Sequence, residues 1–121
     1  MSEKTRLLII DDDPEVLKSL QLWLKNEGFQ VFTAGDKAEA INVIKKEGIA
    51  ACLVDLRLKN EDGLHISAAL KALDENLRII IVTGYPTYEG AVEAMKAGIF
   101  DYISKSTDND AILQKICNAV D

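Results

Sequence analysis

The sequence predicts an α/β fold, a three-layer, doubly wound, five-stranded parallel sheet with helices on both faces. Three observations carry this. Five apolar runs recur along the 121 residues, at 6–10, 29–34, 49–54, 78–82 and 100–104. Three of them are apolar without interruption over four or more residues, as strands buried on both faces are. Segments of helical length and period follow each run, so strand and helix alternate throughout. Right-handed crossovers then leave few topologies, and 2-1-3-4-5 is a common strand order among them.

The first strand, "RLLII", runs straight into Asp11, Asp12 and Asp13. The helix after it, Pro14 to Glu27, carries an apolar stripe of Val16, Leu17, Leu20, Trp23 and Leu24. Asp13 suits its N-cap, Pro14 the first helical position and Gly28 a left-handed C′ residue. "FQVFTA" gives the second strand. A helix over Lys37 to Glu47 follows, with Asp36 and Glu39 at capping-box spacing and Gly48 at its end. "IAACLV" is the third strand, with Asp55 closing it. The third helix starts near Gly63 and covers "LHISAALKALDE"; "RIIIV" is the fourth strand and leads into Thr83. "YEGAVEAMKA", stopping at Gly98, is the fourth helix. "FDYIS" is the fifth strand, followed by Lys105, and "NDAILQKICNAV" is the last helix, with Asp108 as cap. No linker, low-complexity tract or repeat divides the chain, so residues 1–121 are expected to form a single domain.

Composition narrows the function. A net charge of -6 argues against a nucleic-acid or membrane-surface footprint, which would require a basic patch. No apolar run approaches the length that spans a bilayer, and the polar start "MSEKTR" is unlike a signal peptide. Cys52 and Cys117 have no metal-like spacing, and Cys52 lies within an apolar run. The expectation is a reduced, cytoplasmic protein.

Chemistry concentrates at one edge of the predicted sheet. Ligands of open α/β sheets bind outside the carboxyl ends of the strands, where the strand order reverses. Strands 1 and 3 flank that point, which brings Asp11, Asp12 and Asp55 into one crevice with Thr83 and Lys105 beside it. Carboxylates about 4 Å apart repel by roughly 4 kcal/mol per pair at an effective dielectric near 20. A hard divalent cation with oxygen ligands removes that repulsion. Mg²⁺ suits a site with few carboxylates and several retained waters. A carboxylate beside Mg²⁺ can attack phosphorus to form an acyl phosphate, and phosphoryl transfer needs mainly positioning and charge neutralisation. Lys105 and Thr83 could supply further contacts to the phosphoryl oxygens. Taken singly the same residues have plainer roles: Asp13 as a cap, Asp11 and Asp12 as charge at a helix N-terminus. The only histidine, His65, starts the third helix and has no catalytic partner. It is the convergence of all five groups that is specific.

The set "IIDDDP", "VDLRLKNEDGL", "IIVTGYPT" and "DYISK" resembles the receiver domains of two-component response regulators, over essentially the whole chain. The resemblance implies the flavodoxin-like (βα)5 fold, and it supports the 2-1-3-4-5 order as much as the connection rules do. It implies that Asp55 is the phosphoacceptor, taking its phosphoryl group from the histidine of a sensor kinase or from a phosphotransfer protein. Asp12 would then bind Mg²⁺ directly and Asp11 through water, with the backbone carbonyl of Arg57 as a further ligand. Thr83 and Lys105 would contact the phosphoryl group, and Tyr102 would be the switch aromatic that follows Thr83. The face of the fourth helix, fifth strand and fifth helix would bind partners or form a homodimer, with Tyr88, Lys96 and Tyr102 as exposed candidates. The domain would not be an enzyme beyond its own phosphorylation and slow dephosphorylation.

Two departures stand out. Lys59 occupies a position four residues after Asp55 where such receivers usually have proline. Ser106 replaces the proline, often cis, that usually follows the lysine. A cis bond to a non-proline residue costs about 2.5–4 kcal/mol, so Lys105–Ser106 is expected to be trans. Arg57 and Tyr85, two residues beyond Asp55 and Thr83, should flank the phosphoryl entrance and slow hydrolysis by obstructing an in-line water.

Three rival readings compete. "LLIIDDDPE" has the strand–Asp–x–Asp shape of haloacid-dehalogenase-like phosphatases, with Asp11 as nucleophile, but the chain is short for that fold and lacks a late acidic pair. A flavodoxin-like cofactor module would need a Ser/Thr/Gly-rich loop after strand 1. A receiver-like interaction domain without phosphorylation is the third. The chain stops after its fifth helix, so it either docks to partners alone or is the receiver of a longer chain. Its fourth and fifth strand region looks most like receivers of sigma-54-type transcriptional activators.

Overall fold

The computed structural model describes residues 4–121; Met1–Glu3, part of the polar start, lie outside the described residues. Ten elements alternate: β1 (Arg6–Ile10), α1 (Pro14–Asn26), β2 (Gln30–Ala34), α2 (Lys37–Lys46), β3 (Ala51–Asp55), α3 (Gly63–Leu73), β4 (Arg78–Thr83), α4 (Tyr88–Lys96), β5 (Asp101–Ser104) and α5 (Asn109–Val120). The five strands pair in parallel, as the alternation implies, in the expected order β2-β1-β3-β4-β5.

The side-chain alternation of the strands builds two cores. Leu7, Ile9, Leu53, Ile80 and Ile103 face one side and pack with Leu24 of α1 and Ile112 and Ile116 of α5. Leu8, Ile10, Cys52, Val54, Ile79 and Ile81 face the other and pack with Ala40 of α2, Ile66 and Leu70 of α3, and Ala94 of α4. All five residues of β3 are buried, which explains why that strand reads as one greasy run. Cys52 is a free buried thiol, and burial pushes its pKa up, so it is an inert core group.

The caps Asp13, Asp36 and Asp108 are those the sequence predicts, while Asp62 and Thr87 are additional ones. Asp13, Asp36, Asp62 and Asp108 each accept a backbone N–H in the first turn of their helix, and Thr87 does so for α4. Glu39 does not complete a reciprocal capping box; its carboxylate takes the N–H of Gly35 rather than that of Asp36. Gly28 and Gly98 adopt φ of 100° and 80° and close α1 and α4, whereas α2 ends at Glu47 in extended backbone without a left-handed glycine. Strands β2, β3 and β5 begin one or two residues later than their apolar runs. Phe29 is buried, but its N–H bonds the Leu24 carbonyl to close α1, leaving β2 to start at Gln30. Of the α1 stripe only Leu24 is fully buried; Leu17, Leu20 and Trp23 are half-buried against the same core. No helix among the described residues is long and apolar enough to cross a membrane.

Candidate functional site

Register decides what meets at the carboxyl edge of the sheet. Ile10 pairs with Val54, so Asp11, the residue after β1, stands beside Asp55, the last residue of β3. Both are buried. With the exposed Asp12 they place one carboxylate oxygen each within 4.8 Å of one another. Three acids at such separations repel, and Asp11 shows the effect. Its carboxyl is raised above the usual range, first by burial and then by the charges of Asp55 and Asp12, against the opposing pull of the Asp13 N–H and Lys105.

Backbone donors hold all three carboxylates. Asp11 accepts the N–H of Asp13 at 3.0 Å, Asp55 that of Arg57 at 3.3 Å, and Asp12 that of Lys59 at 2.6 Å. Lys105, the residue after β5, completes the cluster, with its ammonium 3.1 Å from Asp55 Oδ2 and 3.7 Å from Asp11 Oδ2. Burial alone would lower its pKa, but the hydrogen bond to Asp55 and the charges of Asp55 and Asp11 outweigh this and raise it. The ammonium stays charged.

The loop after β5 aims that lysine without a proline. All peptide bonds of the described residues are trans, Lys105–Ser106 included. Lys105 N–H donates to the Thr83 carbonyl at 2.8 Å, and Thr107 N–H closes a turn onto Ser104 at 3.0 Å. The Ser106 N–H, which proline would lack, donates to Ser104 Oγ at 3.1 Å, and the two hydroxyls lie 2.7 Å apart. The substitution exchanges a ring constraint for a hydrogen-bonded turn.

Thr83 is buried at the end of β4, and its hydroxyl accepts the Tyr85 N–H at 3.1 Å. Tyr102 is half-buried rather than exposed. Its ring packs on the core under α4, and its hydroxyl accepts the Thr87 N–H at 3.3 Å. Tyr88 and Lys96 are exposed as expected, and so are Arg57, Tyr85 and His65. Arg57 sits opposite Asp62 in an isolated bridge whose two bonds, Leu58 N to Glu61 O and Gly63 N to Leu56 O, flank it. Its own carbonyl therefore takes no part and, among the described residues, accepts no hydrogen bond.

Two features of this edge lie outside a local reading of the sequence. The Lys59–Asp12 contact spans 47 positions. Gly63 opens α3 where any Cβ would run into the backbone carbonyl of Asp55, with Leu56 Cα 2.8 Å away. A glycine at a helix start, where it is a poor helix former, was the one available signal.

This arrangement agrees with comparison to known proteins. The family model for the response regulator receiver domain matches residues 7–117. The chain belongs to that family. It is a receiver domain of the two-component kind, and receivers of this family bind Mg²⁺ at an acidic pocket. Its relatives include the transcriptional regulatory protein GlrR of Escherichia coli (strain K12), 36% identical across 100% of this chain and 28% of the relative. The acid tolerance regulatory protein ActR of Rhizobium meliloti is 37% identical over 88% of this chain and 55% of its own length. The chain thus spans a quarter to about half the length of these curated relatives. Among solved structures, a CheY-like receiver domain protein from Methanospirillum hungatei JF-1 superposes with a TM-score of 0.90. It is 30% identical, with 98% of this chain and 94% of that one covered. A response regulator from Burkholderia pseudomallei, containing a phosphorylated aspartic acid, a calcium ion and citrate, gives 0.87 at 33% identity, over 96% and 69%.

Proposed function

We propose that Asp55 accepts a phosphoryl group and that the domain, residues 1–121 as one unit, relays this event to an output domain of a longer chain or to a separate partner. The observation that carries the reading is the Lys105 ammonium poised 3.1 Å from Asp55 at the edge of a three-carboxylate cluster. In the reaction an Asp55 carboxylate oxygen forms a bond to phosphorus while the bond from phosphorus to the donor's imidazole nitrogen breaks. The bonding pair stays on that nitrogen, which takes up a proton. Lys105 and the Thr83 hydroxyl contact the phosphoryl oxygens, and Arg57 N–H holds Asp55 in place.

Asp11, Asp12, Asp55 and the Arg57 carbonyl are the groups that would hold Mg²⁺. Three clustered carboxylates and an unengaged carbonyl are the hard oxygen donors it prefers. A cation held there would supply positive charge to offset that of the carboxylates and of an incoming phosphoryl group. A sensor histidine kinase or a phosphotransfer protein is the donor, and a groove of about 450 Å³ supports a docked partner. Val16, Leu20, Ile112 and Asn109 of α1 and α5 line it, and it opens beside Asp55 and Lys105. Arg57 and Tyr85 shield the phosphoryl group from water, so the signal decays slowly. The Thr83 hydroxyl, which accepts the Tyr85 N–H, donates its own hydrogen to a phosphoryl oxygen, Tyr102 follows, and the α4–β5–α5 face changes for a partner or a second copy.

Intact mass after incubation with acetyl phosphate tests this. One phosphoryl group should be gained with Mg²⁺, none with EDTA, and none in Asp55→Asn. Uptake by Asp55→Asn would overturn the reading, while absence of uptake by the unsubstituted chain would favour an interaction domain that keeps the fold without phosphorylation.

A further inference from the structure

Each carboxylate of the cluster accepts one backbone N–H, but the three bonds differ in origin. Asp11 and Asp55 are served from two residues along their own loops, by Asp13 and Arg57. Asp12 is served across the site by Lys59, whose loop between β3 and α3 is 47 positions away in the chain. Asp12 is also the exposed member of the three, so packing does not fix its side chain. The Lys59 bond is the shortest of the three at 2.6 Å, in keeping with charge-assisted donation to a carboxylate.

We infer that the backbone N–H of Lys59 is a positioning group for Asp12: it clamps the β1–α1 and β3–α3 loops together and presets the Asp12 carboxylate for a divalent cation. The inference rests on the metal-site reading above. A carboxylate has two oxygens, so accepting from Lys59 on Oδ2 leaves Oδ1 to ligate. The bond orients an otherwise free carboxylate before the cation arrives, as outer-sphere partners of metal ligands do. The side chain of Lys59 is not needed, only its N–H. Proline at this position, having none, could not form the clamp.

This separates two substitutions at one position. Lys59→Ala keeps the N–H and removes the charge; Lys59→Pro removes both. Calorimetric titration of the metal-free chain with MgCl₂ should give an unchanged dissociation constant for Lys59→Ala and one about tenfold weaker for Lys59→Pro, the lower end of the effect of losing an outer-sphere partner. Equal or tighter binding by Lys59→Pro, or equal weakening in both variants, would overturn the inference and leave the metal site standing. Failure of the unsubstituted chain to bind Mg²⁺ would overturn both. If Lys59→Pro does not fold, hydrogen exchange decides. The Lys59 amide should exchange slowly in the unsubstituted metal-free chain and faster in Asp12→Ala, and equal rates in the two would overturn the clamp.

Discussion

Gly63 and Gly90 stand near the starts of two helices, α3 and α4, that pack on the same face of the sheet, yet their surroundings are opposite. A Cβ on Gly63 would strike backbone, the carbonyl of Asp55 and the Cα of Leu56. A Cβ on Gly90 would meet only side-chain tips, the hydroxyls of Tyr102 and Thr87. The burial of the two helices runs the same way. α3 buries Gly63, Ile66, Ser67 and Leu70, whereas α4 buries Ala94 alone and leaves Tyr88 and Met95 82% and 61% exposed. The carboxyl edge of the sheet thus has one helix locked onto the backbone of Asp55 itself and another held by hydroxyl contacts that can be exchanged. Movable elements are drawn from the less buried parts of a fold, and α4 fits that description.

The largest expected effect breaks the locked side. Gly63→Ala has no flexible neighbour to displace and should cost about 3 kcal/mol, read as a melting temperature lower by roughly 10 °C. A loss under 1 kcal/mol would show that the α3 start is as adaptable as that of α4.

Asp11→Asn should move stability in the other direction. The raised carboxyl of Asp11 means the metal-free folded chain holds its proton more tightly than the unfolded chain does. The penalty of its charge is therefore full above the raised pKa and is relieved as pH falls through the window down to the ordinary carboxylate value. In EDTA at pH 7 the variant should gain about 1 kcal/mol, a gain that shrinks on acidification, measured by urea unfolding at several pH values. A gain that is flat with pH would contradict the electrostatic cause.

The smallest effect sharpens the movable side. In Gly90→Ala, a gain of about 1 kcal/mol in helix propensity opposes the displacement of Tyr102 and Thr87, so stability should change by less than about 0.5 kcal/mol. The Thr87 amide resonance should nonetheless shift as it loses the Tyr102 hydroxyl. An unchanged Thr87 amide would mean that Tyr102 is not displaced.

How much of this was legible follows the range of the interactions. The alternation of strands and helices and the caps Asp13, Asp36 and Asp108 derive from local patterns, whereas the gathering of Asp11, Asp12, Asp55, Thr83 and Lys105 at one edge rests on a strand order drawn as much from the family resemblance as from connection rules. Strand starts were misplaced where an apolar residue served a helix end, as Phe29 does for α1. Tyr102 was placed on the surface because an aromatic in a half-exposed edge strand gives no local sign of the Thr87 N–H that holds it. The Lys59 clamp depends on the paths of two distant loops, and no periodicity or capping rule encodes those paths. Ser106 shows the converse: the trans bond was predictable from the intrinsic cost of cis, but the Ser104 turn that replaces the proline was not.

The central claim is that Asp55, and not another acid of the cluster, takes the phosphoryl group. Borohydride trapping after incubation with acetyl phosphate and Mg²⁺, followed by peptide mapping, tests it most directly. The account predicts a single reduced residue at position 55, absent when Mg²⁺ is withheld. A label at Asp11 would contradict it, and would assign the chain the nucleophile of an aspartate-dependent phosphatase instead.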